Sequence, residues 1–141
     1  MKMDKDLERI IRYFKAREEV SALYLFGSLA VGRGMRGSDI DLAVLIDERK
    51  VKKKNCELLK GDYYRASPAF SLHPVDIVVL NTAPPFLKHR ILRTGRILFD
   101  RNRRLRARFT AHAIIEYLDF KPIEDMFTGA VAGRFRTKFR L

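Results

Sequence analysis

The chain has one cysteine, no tryptophan and three histidines, and no apolar run approaches the about 20 residues that a spanning helix needs. Each scarcity removes a class of structure. A single thiol, Cys56, excludes an internal disulfide and a thiolate-rich metal site. It sits in a helix-permissive stretch and reads as a small packed residue, not a nucleophile. His89 and His112 fall in separate expected helices without a spaced partner, and His73 stands alone in a loop, so no zinc motif is present. The short apolar runs predict no membrane association. The charged opening Met1-Lys2-Met3-Asp4 reads as a helix start, not a secretory signal, and a reducing cytoplasm is the expected setting. Acid is also in short supply: 17 Asp+Glu face 29 Lys+Arg, a net charge of +12. That excess favours anionic partners such as nucleotides, RNA or an acidic protein surface; a solvated basic exterior is the bland alternative.

What is present suits one domain. The 141 residues are 47% hydrophobic, and ten Phe with five Tyr supply core bulk in place of tryptophan. Leu7, Ile10, Ile11 and Phe14 recur at helical spacing, with Asp4 or Asp6 as the cap. Residues 20–26 are almost unbroken apolar and short, which predicts a strand buried on both faces. From Asp39 to Ile46 the chain alternates: Ile40, Leu42, Val44 and Ile46 share one face, Asp39, Asp41, Ala43 and Leu45 the other. Residues 48–66 are basic and helix-permissive, with Asp47-Glu48 capping that helix. Ser67-Pro68 to Pro74 reads as a loop, and 75–80 as a third strand carrying Asp76. Pro84-Pro85 opens a helix that Gly95 closes. Residues 96–99 form a fourth strand. Asp100 or Asn102 then caps a long helix with Leu105, Phe109, Ala113, Tyr117 and Phe120 along one side, ended by Lys121-Pro122. The expected architecture is α/β (α+β), a small mixed sheet of about four strands flanked by helices. Residues 1–120 form the domain, and 121–141 a basic amphipathic extension.

Three aspartates stand out because Asp is disfavoured in strands, yet these sit among Ile, Leu and Val. Residues two apart in a strand point the same way, roughly 6.6 Å apart, so Asp39 and Asp41 can converge on the same hard cations. An all-oxygen cluster suits Mg²⁺, which keeps places for water and phosphate. Asp76 completes the set if its strand is a neighbour. Upstream, Gly27-Ser28 ends a buried strand. The glycine lets phosphate oxygens approach the backbone, following amides attract negative charge, and the Ser28 hydroxyl adds a donor. Arg33 and Arg36, in the glycine-rich connection, read either as neutralisers of a triphosphate or as solvated loop charges.

The run Leu25-Phe26-Gly27-Ser28, ten residues, then Asp39-Ile40-Asp41-Leu42-Ala43-Val44 resembles the Gly-Ser-x10-Asp-x-Asp signature of the DNA polymerase β-like nucleotidyltransferase superfamily. Val75-Asp76-Ile77-Val78 resembles its third-acid strand. The stretches at 81–87, 95–99 and 116–119 resemble the minimal nucleotidyltransferase (MNT) branch, so the similarity spans about 20–120. The resemblance implies that fold, and an antitoxin that transfers AMP from ATP to a tyrosine of a cognate HEPN-domain ribonuclease toxin, releasing pyrophosphate. It further implies that Gly27 and Ser28 hold the nucleotide phosphates, Asp39 and Asp41 ligate Mg²⁺, and Asp76 ligates a second ion and promotes deprotonation of the attacking hydroxyl.

Three alternatives stay open. Transfer to a small molecule or to RNA uses the same chemistry, but such relatives generally carry an added helical domain for which 141 residues leave no room. A non-catalytic antitoxin acts by contact alone. Direct nucleic-acid binding, a secondary expectation, predicts steep salt dependence and indifference to Mg²⁺ and ATP. The basic cluster Arg101, Arg103, Arg104, Arg106 and Arg108 opposes the macrodipole where it opens the long helix. Either an anionic partner compensates it or solvent does.

Overall fold

The computed structural model describes the backbone of residues 2–27, 30 and 39–139, and the side chains of 4–27, 30, 39–123 and 125–129. The strands β1 (Val20–Phe26), β2 (Ile40–Ile46), β3 (Val75–Val79) and β4 (Arg96–Asp100) form one sheet in the order β3-β2-β1-β4. β1 runs antiparallel to both β2 and β4, while β2 and β3 are parallel. The helices are α1 (Lys2–Lys15), α2 (Cys56–Phe70), α3 (Pro85–Thr94) and α4 (Arg103–Phe139). This is the mixed, helix-flanked sheet expected from the alternation of apolar periods.

Burial explains the two central strands. Every residue from Val20 to Leu25 and from Leu42 to Ile46 is buried, as both faces of β1 and β2 are covered. On one face Leu23, Leu25, Ile40, Leu42, Val44 and Ile77 pack with Ile10 and Phe14 of α1 and Tyr63 and Phe70 of α2. Phe14 meets Tyr63 and Phe70 edge-on at 5.1 and 5.6 Å, contacts each worth about 0.5–1.5 kcal/mol beyond area burial. Cys56 lies inside this layer, where burial and then the nearby Glu48 and Glu57 carboxylates raise its thiol pKa. That fits packing and not nucleophilicity. On the other face Ala22, Tyr24, Ala43 and Leu45 meet Leu80 and Ile91, with Leu87, Leu105 and Phe109 of α3 and α4 against them. Among the described residues no helix is long and apolar enough to cross a membrane.

Four expectations are corrected. α2 does not stop before Ser67-Pro68 but runs to the buried Phe70. The Tyr64 carbonyl, which loses its usual amide donor to the proline ring, accepts the Ser67 hydroxyl at 2.8 Å instead. Asp6 does not cap α1, which starts at Lys2; it is wholly buried and clasps the loop before β3. Its Oδ2 accepts the Leu72 and His73 amides at 3.1 and 3.3 Å and faces His73 Nδ1 at 2.6 Å. Burial pushes the Asp6 carboxyl up, but the His73 and backbone hydrogen bonds outweigh it and hold the pKa below the ordinary value. Asp47 caps no helix. It turns back on the Arg49 amide and guanidinium, at 3.0 and 2.8 Å. Finally, Pro122 does not end the long helix: α4 continues through it to Phe139. Leu118, four residues earlier, is 59% exposed, so the carbonyl that loses its donor sits on a wet surface.

Candidate active site

The ladder between β2 and β3 begins where the Ile40 amide donates to the Pro74 carbonyl at 2.9 Å. Its register then pairs Asp41 with Asp76, and Ile40, Leu42 and Ala43 with Val75, Ile77 and Val78. Register partners in neighbouring strands point to the same face, about 4.8 Å apart. Asp41 and Asp76 therefore stand side by side, with Asp39 at the entrance of β2. Asp41 is half-buried, whereas Asp39 and Asp76 are exposed. Burial, then the Asp76 charge, then the Asp39 charge raise the Asp41 pKa, so both neighbouring acids are near enough to act on it.

Gly27 closes β1 beside this group. Phe26 is the register partner of Asp41, and Gly27 then adopts φ +74°. A Cβ there would lie 2.1 Å from Asp41 Oδ2, so the missing side chain is the space the carboxylate occupies. Sequence reasoning read this glycine only as freedom for phosphate approach. Ser28, Arg33 and Arg36, the other expected nucleotide contacts, lie outside the described residues.

Tyr64 is a contact that sequence reasoning missed. Its hydroxyl donates to Asp76 Oδ1 at 3.0 Å and accepts the Ile77 amide at 2.8 Å, fixing the third carboxylate from α2. Burial raises the Tyr64 pKa, the Ile77 amide draws it back, and Asp76 adds to the rise, so the phenol keeps its proton. Helical spacing places Tyr63 and Tyr64 on different sides of α2, and that was the available signal: one tyrosine enters the core, the next is free to reach over the sheet edge.

Among the described residues no three acidic, imidazole or thiol groups close into a metal cage. The aspartates are an open-sided, all-oxygen set. That donor chemistry fits Mg²⁺, which takes a few carboxylates and leaves its remaining positions to water and substrate phosphate.

Residues 8–104 match the family model for polymerase beta nucleotidyltransferases. The chain belongs to that nucleotidyltransferase family. Among solved structures it is similar to a chain of a toxin–antitoxin complex with AMP-PNP, at 25% identity and a TM-score of 0.67, over 89% of this chain and 98% of that one. It is similar also to a chain of the MntA–HepT toxin–antitoxin complex (22% identity, TM-score 0.61, 90% and 97% coverage). A third structure, the tri-AMPylated Shewanella oneidensis HEPN toxin in complex with MNT antitoxin, contains a chain that matches at 22% identity and TM-score 0.63, with 94% and 99% coverage. These last two likenesses carry the fold alone. No curated protein sequence matches the chain.

Proposed function

We propose that this protein is a Mg²⁺-dependent antitoxin that transfers AMP from ATP to a tyrosine of a cognate HEPN ribonuclease toxin, in the cytoplasm. The observation that carries the reading is the register pairing of Asp41 with Asp76, beside Asp39 and the tight Gly27 turn. Family membership supplies the reaction type, and the likeness to a toxin–antitoxin chain crystallised with AMP-PNP supports both nucleotide and partner.

In this reading Asp39, Asp41 and Asp76 hold two divalent ions, which when bound neutralise charge on the attacking and leaving oxygens. Gly27 leaves room for the carboxylate and for close phosphate approach, Ser28 donates to a terminal phosphate, and Arg33 and Arg36 neutralise the triphosphate. Asp76, steadied by Tyr64, takes the proton as the acceptor oxygen bonds to the α-phosphorus. The bond from that phosphorus to pyrophosphate breaks, and pyrophosphate leaves. Positioning and charge stabilisation supply most of the rate. The distal part of α4 supports a protein acceptor. Ile115, Leu118, Ile123, Met126 and Phe127 are 59–77% exposed there, an apolar surface suited to a partner chain.

The test is incubation of the purified chain with labelled nucleoside triphosphates, Mg²⁺ and the product of the neighbouring gene, followed by intact mass measurement of both proteins. AMP adducts on a partner tyrosine are expected. They should be absent with Asp39→Asn/Asp41→Asn, which should still bind the partner. Neutralisation of the toxin by that double variant would instead establish inhibition by contact.

A further inference from the structure

A concavity lies on the same face of the sheet as the aspartates but at the other end of β2. It is a cleft of about 700 Å³ between the β2 terminus, the Lys53–Asn55 and Leu80–Thr82 turns, α3 and the first half of α4. Leu45 lines it, four residues from Asp41, or about 13 Å along the strand at 3.3 Å per residue. Between them Ala43 is fully buried against Tyr24 and Leu80, so the two sites are separate. We propose that this cleft binds a phosphate-bearing small molecule of nucleotide size, without help from the aspartates.

Charge is the first argument. The acids in the cleft wall are already engaged: Asp47 by Arg49 at 2.8 Å, Glu116 by Lys88 at 3.1 Å, and Glu48 by the Asn81 amide at 3.0 Å. Lys53, Arg104 and Arg108 also line it, and among the described residues none of these three has an ion pair. Arg104, Arg108 and His112 follow one another at four-residue steps, so they form a line along one side of α4 facing the cleft. Like charges at that spacing repel, and near a helix N-terminus they also oppose the dipole. A bound anion reverses both effects.

Shape and rigidity are the second. The volume falls within the range of about 300–1,000 Å³ typical of small-molecule sites. Leu105 and Phe109, both partly exposed, give it an apolar wall suited to a base or another flat group. That wall is preformed. Asn81, 2% exposed, bonds the Ile46 amide and carbonyl at 2.8 and 2.9 Å, and Lys88 lies over the Phe109 ring at 5.5 Å. The cations meet the ligand's phosphates without reorganising the floor beneath them.

Calorimetric titration of the full chain in EDTA tests this, using ATP, inorganic triphosphate and a 12-nucleotide single-stranded RNA. Saturable ATP or triphosphate binding is expected without divalent ions. It should persist in Asp39→Asn/Asp41→Asn and weaken at least tenfold in Arg104→Gln/Arg108→Gln. Tighter binding of ATP than of triphosphate assigns the apolar wall to the base; equal binding assigns the site to the phosphate chain, and either supports the proposal. Arg103→Gln, outside the cleft, should leave binding intact, and circular dichroism should show all variants folded. No divalent-free binding, or binding unchanged in the double arginine variant, overturns it. So does RNA binding tenfold tighter than either small ligand and lost in that variant, which would mark an open nucleic-acid surface.

Discussion

Gly27→Ala separates two consequences of a single missing atom. The residue sits at φ +74°, so an alanine there carries left-handed strain of about 1–2 kcal/mol. Its Cβ would also stand 2.1 Å from Asp41 Oδ2 and 3.0 Å from Asp41 Cγ, so the carboxylate must shift by roughly 1 Å. A displacement of that size at a reacting centre costs on the order of 100-fold in rate. Urea denaturation of four proteins (the parent, Gly27→Ala, Asp41→Ala and the double variant) resolves the parts. In the Asp41→Ala background the alanine meets no carboxylate and only the backbone strain remains. The penalty of Gly27→Ala should therefore be larger in the parent by about 1 kcal/mol, within the coupling expected of touching residues. Nucleotidyl transfer by the single variant should fall about 100-fold. Equal penalties in both backgrounds, or near-parental activity in Gly27→Ala, would show that Asp41 does not depend on this space.

Three further outcomes are expected. Asp6→Ala leaves the His73 ring and the Leu72 amide without their acceptor and the His73 amide with only the Ser71 hydroxyl, a loss of about 2–4 kcal/mol by urea denaturation. The Asp6 pKa is depressed in the native state, so its contribution is present above the unfolded value near about 4 and lost as pH falls through the native pKa; the variant's stability should be flatter in that acid window. Asp41 runs the other way. Burial and its acidic neighbours raise its pKa, so its stabilising contribution is present in acid and lost as pH rises through the raised value. Asp41→Asn should therefore raise the urea midpoint at pH 7 while abolishing transfer, and Mg²⁺ should no longer shift its melting temperature. Tyr64→Phe strips a donor from Asp76 and an acceptor from the Ile77 amide, costing about 1 kcal/mol in stability; kcat should drop with the KM for ATP unchanged, as measured by steady-state kinetics.

Local pattern carried much of this structure into view. The unbroken apolar run of 20–26 and the strict alternation of 40–46 announced strands covered on two sides, and the burial of β1 and β2 follows from them. The Asp39–Asp41 spacing, too, is a property of one strand. The parallel pairing of β2 with β3 is not, because register is set by contacts between segments more than 30 residues apart. Proline misled twice for a related reason. At Pro68 the compensating Ser67 hydroxyl lies one residue away, but its use depends on Phe70 drawing the helix into the core. At Pro122 the missing bond falls on an exposed surface, where water makes its loss cheap. His73 looked incidental because its partner, Asp6, is 67 residues distant and wholly buried. Tyr64 was hidden beside Tyr63, whose role in the core is the commoner fate of an aromatic in a helix.

Because Asp41 and Asp76 are matched by main-chain bonding and not by their own side chains, the pair has no intermediate setting. Slipping β3 by one residue would turn Asp76 toward the α1 and α2 layer and bring Val75 or Ile77 opposite Asp41. On the proposed function, competence at this site is decided when the sheet zips, and a molecule that mispairs there should be inert, not weakly active.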